Sequence, residues 1–556
     1  MSAVTPYSPP SIGDGIDLDL SKNEGRPPSS DLLQKIGDPA PLVGRYPDTS
    51  GLRRALADMH GLTPDRVLVT AGADDALFRC FLARVRPGRS AVATSPSFEM
   101  LPRYAAQMGA ELIEVDWWDQ MFPAQDMISA LSDGARTAFI VSPNNPTGNV
   151  ITGEDLNLVA DAAELVVLDG AYMEFADVDL TGEALLRDNV VVLRTMSKAW
   201  GLAGLRVGCV LGPHDLVSEI GAYGNPYSVT GLSQAIATAQ LESGQEVDDY
   251  VTEVKRERVV LGETLDGLGV DALPSQGNFV LAGFDDPDWV WRATASMGIG
   301  LRRFPDRPGL EGHLRIGLPG HLDDFDRLIR AVRTALDPEA LLFDLDGVLA
   351  DIDASQTAAI IGTATFFGVK LDRTDIERAK AGGDANDDWA ISWRLSTAGG
   401  ADVSFEDVRS CYETLYQGTP DRPGLKLNET LIVDRSLLEA WAARYPIGVV
   451  TGRPRADAEE FIERTDIGAF ISVLVTRDEA PLKPDPKPVA LALERLGMDR
   501  AWMLGDTPDD IAAARGTGVV PIGVIAPGSD PDTSAAALTH AAVVLDSPNQ
   551  LEELLP

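Results

Sequence analysis

RTMSKAWGLAGLRVG, residues 194–208, decides how the first half of this chain is read. It follows the apolar, β-branched run VVVL at 190–193. That order predicts a buried strand delivering Lys198 at its C-terminal end, where open α/β sheets bind ligands. A lysine so placed can carry an aldehyde covalently, while Ser197 and Arg206 bind a phosphate on the same ligand. The intervening glycines permit the tight backbone this requires.

Working outward, similar apolar runs occur at 67–70, 91–94, 138–141 and 165–168, each followed by a polar turn and a helix-like stretch. This is the pattern of parallel strands covered on both faces by crossover helices. Chemistry-bearing residues stand at their ends. Asn145 in SPNNPTG can donate to the 3′-oxygen of a pyridine aldehyde, with Tyr172 near the same oxygen. Asp169 in DGAYMEF can keep the ring nitrogen protonated, which makes the ring an electron sink. AGADDALF at 71–78 opens a helix, so the amides of Ala73 and Asp74 can cradle a phosphate. Phe98 in SPSFEM is placed to stack on the ring. Each alone has an ordinary reading as a turn, cap or core residue. Their order at the ends of one sheet makes them a single site.

Residues 214–338 change to long charged amphipathic stretches between short apolar runs, which predicts a smaller α+β part. A second series of buried strands restarts at ALLFDLDGVLA, 340–350. The chain is therefore expected to divide into 1–338 and 339–556, with a mostly helical insertion at about 351–434 acting as a cap. In FDLDGVLAD, Asp344 can attack phosphorus while Asp346 protonates the leaving oxygen and then activates water. Thr451 in VVTGR and Lys483 in LKPDP can hold phosphoryl oxygens. Asp506 and Asp510 in GDTPDD complete an oxygen-lined Mg²⁺ site with Asp344 and the backbone carbonyl of Asp346. Within the insertion, GGDANDDW at 382–389 is a polar cluster with an aromatic that either faces a substrate or starts a solvated helix.

The net charge of −38 over 556 residues repels polyanions, which argues against nucleic-acid and anionic-membrane partners. Anionic small substrates then need local basic residues. No apolar run is long enough to span a bilayer, and MSAVTPYSPPSIGDG has neither a basic nor an apolar leader region, so a cytoplasmic protein is expected. Cys80, Cys209 and Cys411 lack CxxC spacing, which disfavours a disulfide framework or zinc site.

Taken together, TPY, NEG, RYPD, NNPTG, RTMSKAWGLAGLRVG, NPYSVTGLSQ, QGNF and HLRIG make residues 1–338 resemble the histidinol-phosphate aminotransferase family. That resemblance implies a fold-type I pyridoxal-phosphate enzyme, with a large α/β domain and a small α+β subdomain, working with an amino donor such as glutamate. It implies a homodimer in which Tyr46 reaches the partner's cofactor phosphate. It further implies that Arg302 and Arg315 bind acidic substrate groups, while Tyr7 and Asn23 line the pocket. DGAY for DEAY and SPSF for PTY are departures, removing a carboxylate at Gly170 and a hydroxyl at Phe98. A relative that decarboxylates threonine phosphate shares these motifs. Residues 340–556 resemble the haloacid-dehalogenase superfamily, implying a Rossmann-like phosphatase with a helical cap. The joint expectation is transamination of a phosphorylated ketone, imidazole-acetol phosphate to histidinol phosphate, followed by hydrolysis to histidinol. Two alternatives stay open: another keto-phosphate in specialised metabolism, or a non-catalytic C-terminal module.

Overall fold

The computed structural model describes residues 13–118, 120–383 and 387–556. Tyr7 lies outside them. Two compact units are present and are not contiguous in chain order: the first contains Asp19–Pro287 and Leu301–Arg327, the second Asp288–Gly300 and Leu328–Pro556.

The first unit is built on seven strands: β1 (Val67–Thr70), β2 (Ser90–Ser95), β3 (Glu111–Asp116), β4 (Thr137–Val141), β5 (Leu165–Asp169), β6 (Val190–Thr195) and β7 (Gly208–Leu211). Their order is β1-β7-β6-β5-β4-β2-β3. Only β7 runs antiparallel to its neighbours. β4, β5 and β6 are buried at every position, as strands covered on both faces must be. Helix α1 (Gly72–Arg84) covers the sheet, and Phe81 stacks on Phe139 of β4 with centroids 4.1 Å apart. A long helix, α2 (Gly244–Gly267), leads to the small antiparallel sheet of β8 (Asp271–Ala272), β9 (Phe279–Gly283), β10 (Arg302–Arg303) and β11 (His313–Gly317). Arg302 and Arg315 are register partners across β10 and β11, so one pairing sets both arginines.

The second unit centres on six parallel strands: β12 (Ala340–Phe343), β13 (Ile447–Val450), β14 (Ile471–Val475), β15 (Ala501–Gly505), β16 (Val520–Val524) and β17 (Val544–Leu545). The order is β14-β13-β12-β15-β16-β17. Between β12 and β13 come four cap helices: α3 (Ala358–Phe366), α4 (Arg373–Ala381), α5 (Asp388–Ala398) and α6 (Phe405–Gln417). They have a core of their own, in which Ile360, Ile376, Ile391, Tyr412 and Tyr416 are buried. Each fully buried aliphatic side chain of this kind contributes about 2 kcal/mol. Helix α7 (Pro508–Thr517) follows β15, held by a reciprocal cap between Thr507 and Asp510. Also within this unit, the Trp289 and Trp502 rings lie 4.6 Å apart, and the Trp502 indole donates to the Thr334 carbonyl at 2.7 Å. No helix among the described residues is long and apolar enough to cross a membrane.

Candidate functional sites

In the first unit, the C-terminal ends of β4, β5 and β6 lie side by side and open into a cavity of about 350 Å³. Sheet order therefore brings together residues far apart in sequence. Asn145 follows β4, Asp169 ends β5, and Ser197 and Lys198 follow β6. All four line the cavity, with Ala73, Asp74, Phe98, Tyr172, Arg206, Arg302 and Arg315.

The Lys198 ammonium donates to the Lys22 carbonyl at 3.0 Å and lies 5.4 Å from the centre of the Tyr172 ring. Gly25 makes this approach possible, because a Cβ there would stand 1.8 Å from the Lys198 carbonyl oxygen. Arg315 donates to the Asn145 side-chain oxygen at 2.5 Å and to the Ser21 carbonyl at 2.7 Å. The Asn145 amide is thereby turned so that its NH₂ faces Tyr172, whose hydroxyl accepts at 3.4 Å. At the phosphate end, Arg206 contacts Ser197 Oγ at 3.4 Å and pairs with Asp74 at 3.0 Å. Close packing holds the start of α1 here: a Cβ on Gly208 would come within 2.8 Å of the Ala73 nitrogen, and one on Gly72 within 2.7 Å of Arg206.

Asp169 supplies the test of fit for a pyridine cofactor. Among the described residues its carboxylate accepts only the Ala171 N–H, at 3.0 Å, and burial pushes its pKa up to about 7. A buried carboxylate with no touching cation is chemically matched to a protonated ring nitrogen. The amine of Lys198, the polarised amide of Asn145 and the Ser197/Arg206 end complete a set that fits an aldehyde-bearing pyridine phosphate.

Not every expected residue lines this cavity. Lys22 and Glu24 do, but the Asn23 side chain between them is buried, with neither its nitrogen nor its oxygen hydrogen-bonded. Tyr46 is 82% exposed and stacks on Tyr227 with centroids 4.6 Å apart, away from its own chain's cavity. Gly170 leaves no stranded cation: the adjacent Arg194, buried in β6, is paired with Glu174 at 2.9 Å and Asp179 at 3.1 Å. Arg307 and Glu99 also line the cavity and were not expected from the sequence. Arg307 donates to the Ser97 carbonyl at 2.9 Å, and burial lowers its pKa. Glu99 stands next to Phe98 in SPSFEM and was within reach, whereas Arg307 belongs to no short motif and no local signal marked it.

In the second unit the same principle operates at β13, β12 and β15. Thr451, Asp344 and Asp506 each follow the last residue of one of these adjacent parallel strands. Asp344, Asp506 and Asp510 offer carboxylate oxygens that all lie within 4.8 Å of one another, a hard donor set that could hold a divalent cation. The Asp346 carboxylate stands outside that group and is held by Arg453 at 2.7 Å and Gln356 at 2.8 Å. Lys483 donates to Asp344 at 2.6 Å, to the Val450 carbonyl at 3.0 Å, and pairs with Asp510. Burial raises Asp344 to about 7 despite Lys483, and raises Asp506 well above the usual carboxylate range with help from Asp510 and Asp344. Thr451 does not itself line the cavity beside these groups, but Gly452 and Arg453 do. Arg453, two residues beyond Thr451 in VVTGR, is the functional neighbour the sequence reading passed over. Its guanidinium bridges Asp346 to the buried Glu429, the latter at 2.9 Å.

The fold and both sites define a chain of two enzymes, an aminotransferase followed by a hydrolase. It belongs to the aminotransferase class I and II family, whose model matches residues 20–332, and residues 341–524 match the haloacid dehalogenase-like hydrolase model. More particularly, its relatives include histidinol-phosphate aminotransferases. That of Caldanaerobacter subterraneus is 35% identical over 314 residues, covering 55% of this chain and 89% of the relative. That of Jannaschia sp. is 33% identical over 330 residues, covering 57% and 91%. A Phytophthora nicotianae protein named imidazoleglycerol-phosphate dehydratase is 42% identical over 197 residues, 34% of this chain and 44% of its own. The fold resembles the Sinorhizobium meliloti histidinol-phosphate aminotransferase solved with pyridoxal-5′-phosphate, at a TM-score of 0.54 and 24% identity over 60% of this chain and 98% of that one.

Proposed function

We propose that this chain transaminates imidazole-acetol phosphate with glutamate to give histidinol phosphate, then hydrolyses that ester to histidinol. The observation that carries the reading is the pairing of two sites on one chain: an arginine-lined cavity around Lys198 and a carboxylate–lysine cluster suited to a phosphate ester. The histidinol-phosphate aminotransferases among its relatives support it.

In the first site, bound pyridoxal phosphate supplies the electron sink for breaking the substrate Cα–H bond. Lys198 anchors it and moves the proton. Asp169 holds the proton on the ring nitrogen, Asn145 and Tyr172 hold the 3′-oxygen, and Phe98 flanks the ring. Ser197, Arg206 and the amides of Ala73 and Asp74 take the phosphate. Arg302 and Arg315 bind the acidic ends of the substrates, since a guanidinium fork matches carboxylate and phosphate oxygens in pairs. By family resemblance Tyr7 would also reach that pocket.

In the second site, Asp344 attacks phosphorus and the bond to the alcohol oxygen breaks, with Asp346 supplying the proton to that oxygen. Asp346 then takes a proton from the water that releases phosphate. Arg453 orients Asp346, while Thr451 and Lys483 hold phosphoryl oxygens. Asp344, Asp506, Asp510 and the Asp346 carbonyl would hold Mg²⁺.

The reading includes a cytoplasmic homodimer. Tyr46, Tyr227, Leu33 and Val43 are exposed large hydrophobics of the first unit, and Tyr46 would meet the neighbour's cofactor phosphate. A sedimenting monomer with full transaminase activity contradicts this part.

The cation assignment has a pH signature. Asp344 rises from 3.8 to about 7 on folding, so the folded state binds its proton more tightly. The associated stability is fully present below the lower value and lost as pH rises through the upper. Mg²⁺ would hold the ionised form and reverse the loss. Mg²⁺ is therefore expected to raise the thermal midpoint of phosphatase-unit unfolding at pH 8 by about 2–4 °C for each kcal/mol recovered, and much less at pH 5. An equal shift at both pH values, or none, removes the cation from this cluster.

The direct test is to give the purified full chain imidazole-acetol phosphate and glutamate and follow products by mass. Histidinol and inorganic phosphate are expected, through histidinol phosphate. A second reading, a different ketone, has one observation in its favour: a Mycobacteroides abscessus aromatic amino acid aminotransferase is 32% identical over 327 residues. Turnover of another keto-acceptor without turnover of imidazole-acetol phosphate selects that reading.

A further inference from the structure

We infer that the phosphatase cavity selects a phosphate ester bearing an ammonium group, and so acts on the aminated product of the first site in preference to its ketone precursor. The inference rests on the proposed function and assigns two cap residues, Lys380 to the phosphate and Asp388 to the ammonium of a zwitterionic substrate.

Three cationic side chains line this cavity: Lys380, Arg453 and Arg477. Two are already committed. Arg453 is paired with Asp346 and Glu429, and Arg477 with Asp387 at 3.1 Å. Lys380, from α4 of the cap, makes no hydrogen bond or ion pair among the described residues. The residue is half-buried, and its ammonium feels Asp388 first, then Asp506, Asp346 and Asp344, as its electrostatic neighbours. An uncommitted cation facing the nucleophilic aspartate is complementary to the oxygens of a phosphoryl group.

The same lining also carries carboxylates. Asp388, Glu413 and Asp457 line the cavity, and each is held in place by a neutral donor: the Tyr412 hydroxyl at 3.1 Å, the Trp389 indole at 2.8 Å and the Gln417 amide at 2.9 Å. Neutral donors orient a carboxylate without neutralising it. Trp389 is unavailable as a stacking platform, because Arg409 and Arg477 lie 4.3 and 4.6 Å from its ring centre. The wall thus offers charge where a neutral alcohol would need apolar or neutral polar contact. Asp388, half-buried like Glu413 and Asp457, has Lys380 as its leading electrostatic partner, although no hydrogen bond or ion pair joins the two among the described residues. A ligand with a phosphate at one end and an ammonium at the other satisfies both. A keto-phosphate engages Lys380, the leading electrostatic partner of Asp388, and offers that half-buried carboxylate no cation in exchange, which binding energetics penalise.

The consequence is an order of reactions. Phosphate is retained while the carbon is a ketone and released once it is an amine, so the transaminase substrate is not destroyed before use.

The test measures phosphate release by the full chain from three esters without amino donor: histidinol phosphate, imidazole-acetol phosphate and p-nitrophenyl phosphate. A hydrogen bond to a charged group corresponds to about 10- to 100-fold, and kcat/KM for the amine is expected to exceed that for the ketone by this factor. In Asp388→Asn the amine-to-ketone ratio should collapse towards one, and Asp388→Glu should restore part of it. A change in folding would scale all three esters together and leave the ratio untouched. Equal kcat/KM for amine and ketone in the parent, or an unchanged ratio in Asp388→Asn, overturns the inference while leaving the phosphatase reading intact. Release from none of the three esters overturns the phosphatase reading itself.

Discussion

Lys198→Ala is expected to abolish transamination, with a fall of more than about 10⁴-fold, because it removes both the covalent anchor and the group that moves the proton. The loss should not come from unfolding. Among the described residues the ammonium makes one hydrogen bond, to the Lys22 carbonyl, so truncation removes little that supports the sheet. The informative competitor is Lys22, which lines the same cavity but is ion-paired with Asp19 at 2.9 Å. Borohydride reduction of the loaded protein followed by peptide mapping should place the pyridoxyl group on Lys198. Finding it on Lys22, or undiminished transamination in the alanine variant, would falsify the assignment of the first site.

The second large effect separates the two activities. Asp344→Asn should lower phosphate release by about 10⁴-fold or more while transamination persists, since an amide of the same shape cannot attack phosphorus. Asp344 belongs to the second unit and Lys198 to the first, so each cavity keeps its own residues. The variant should also be no less stable at neutral pH without a divalent cation. Burial already disfavours the charged form of Asp344, and Lys483 keeps Asp510 as a partner. Lost hydrolysis with an unchanged or raised thermal midpoint therefore marks a chemical role. Hydrolysis at the parent rate would move the nucleophile elsewhere, and loss of both activities would mean that the two sites depend on each other.

Much of this was legible from residue order. Strands such as VVVL and ALLF read as apolar runs because both faces of a parallel sheet are covered, and a polar residue immediately after such a run must stand at a sheet edge where ligands bind. Asp169 and Asp344 announce themselves in this way, Asp506 after one intervening glycine and Lys198 five residues beyond VVVL. Arg453 was within reach, since it lies in the same VVTGR turn as Thr451. Arg307 was not, because its place in the first cavity depends on how the chain returns after β10. Lys380 and Asp388 were still less so. Helices α4 and α5 have charged faces that solvent or a cavity would satisfy equally well, and only the cap's packing decides between them.

The sequence by itself determined the strand ends, and with them the lysine, the ring-binding aspartate and the paired aspartates of the second site. The tertiary structure alone decided which strand ends are neighbours, which cations are already neutralised by carboxylates, and that one cap lysine has no hydrogen bond or ion pair among the described residues. The physical reason is range. Burial of a strand is written in the hydrophobicity of a few consecutive residues, whereas the charge state of a cavity is a sum over side chains from distant segments that meet only when the chain has folded.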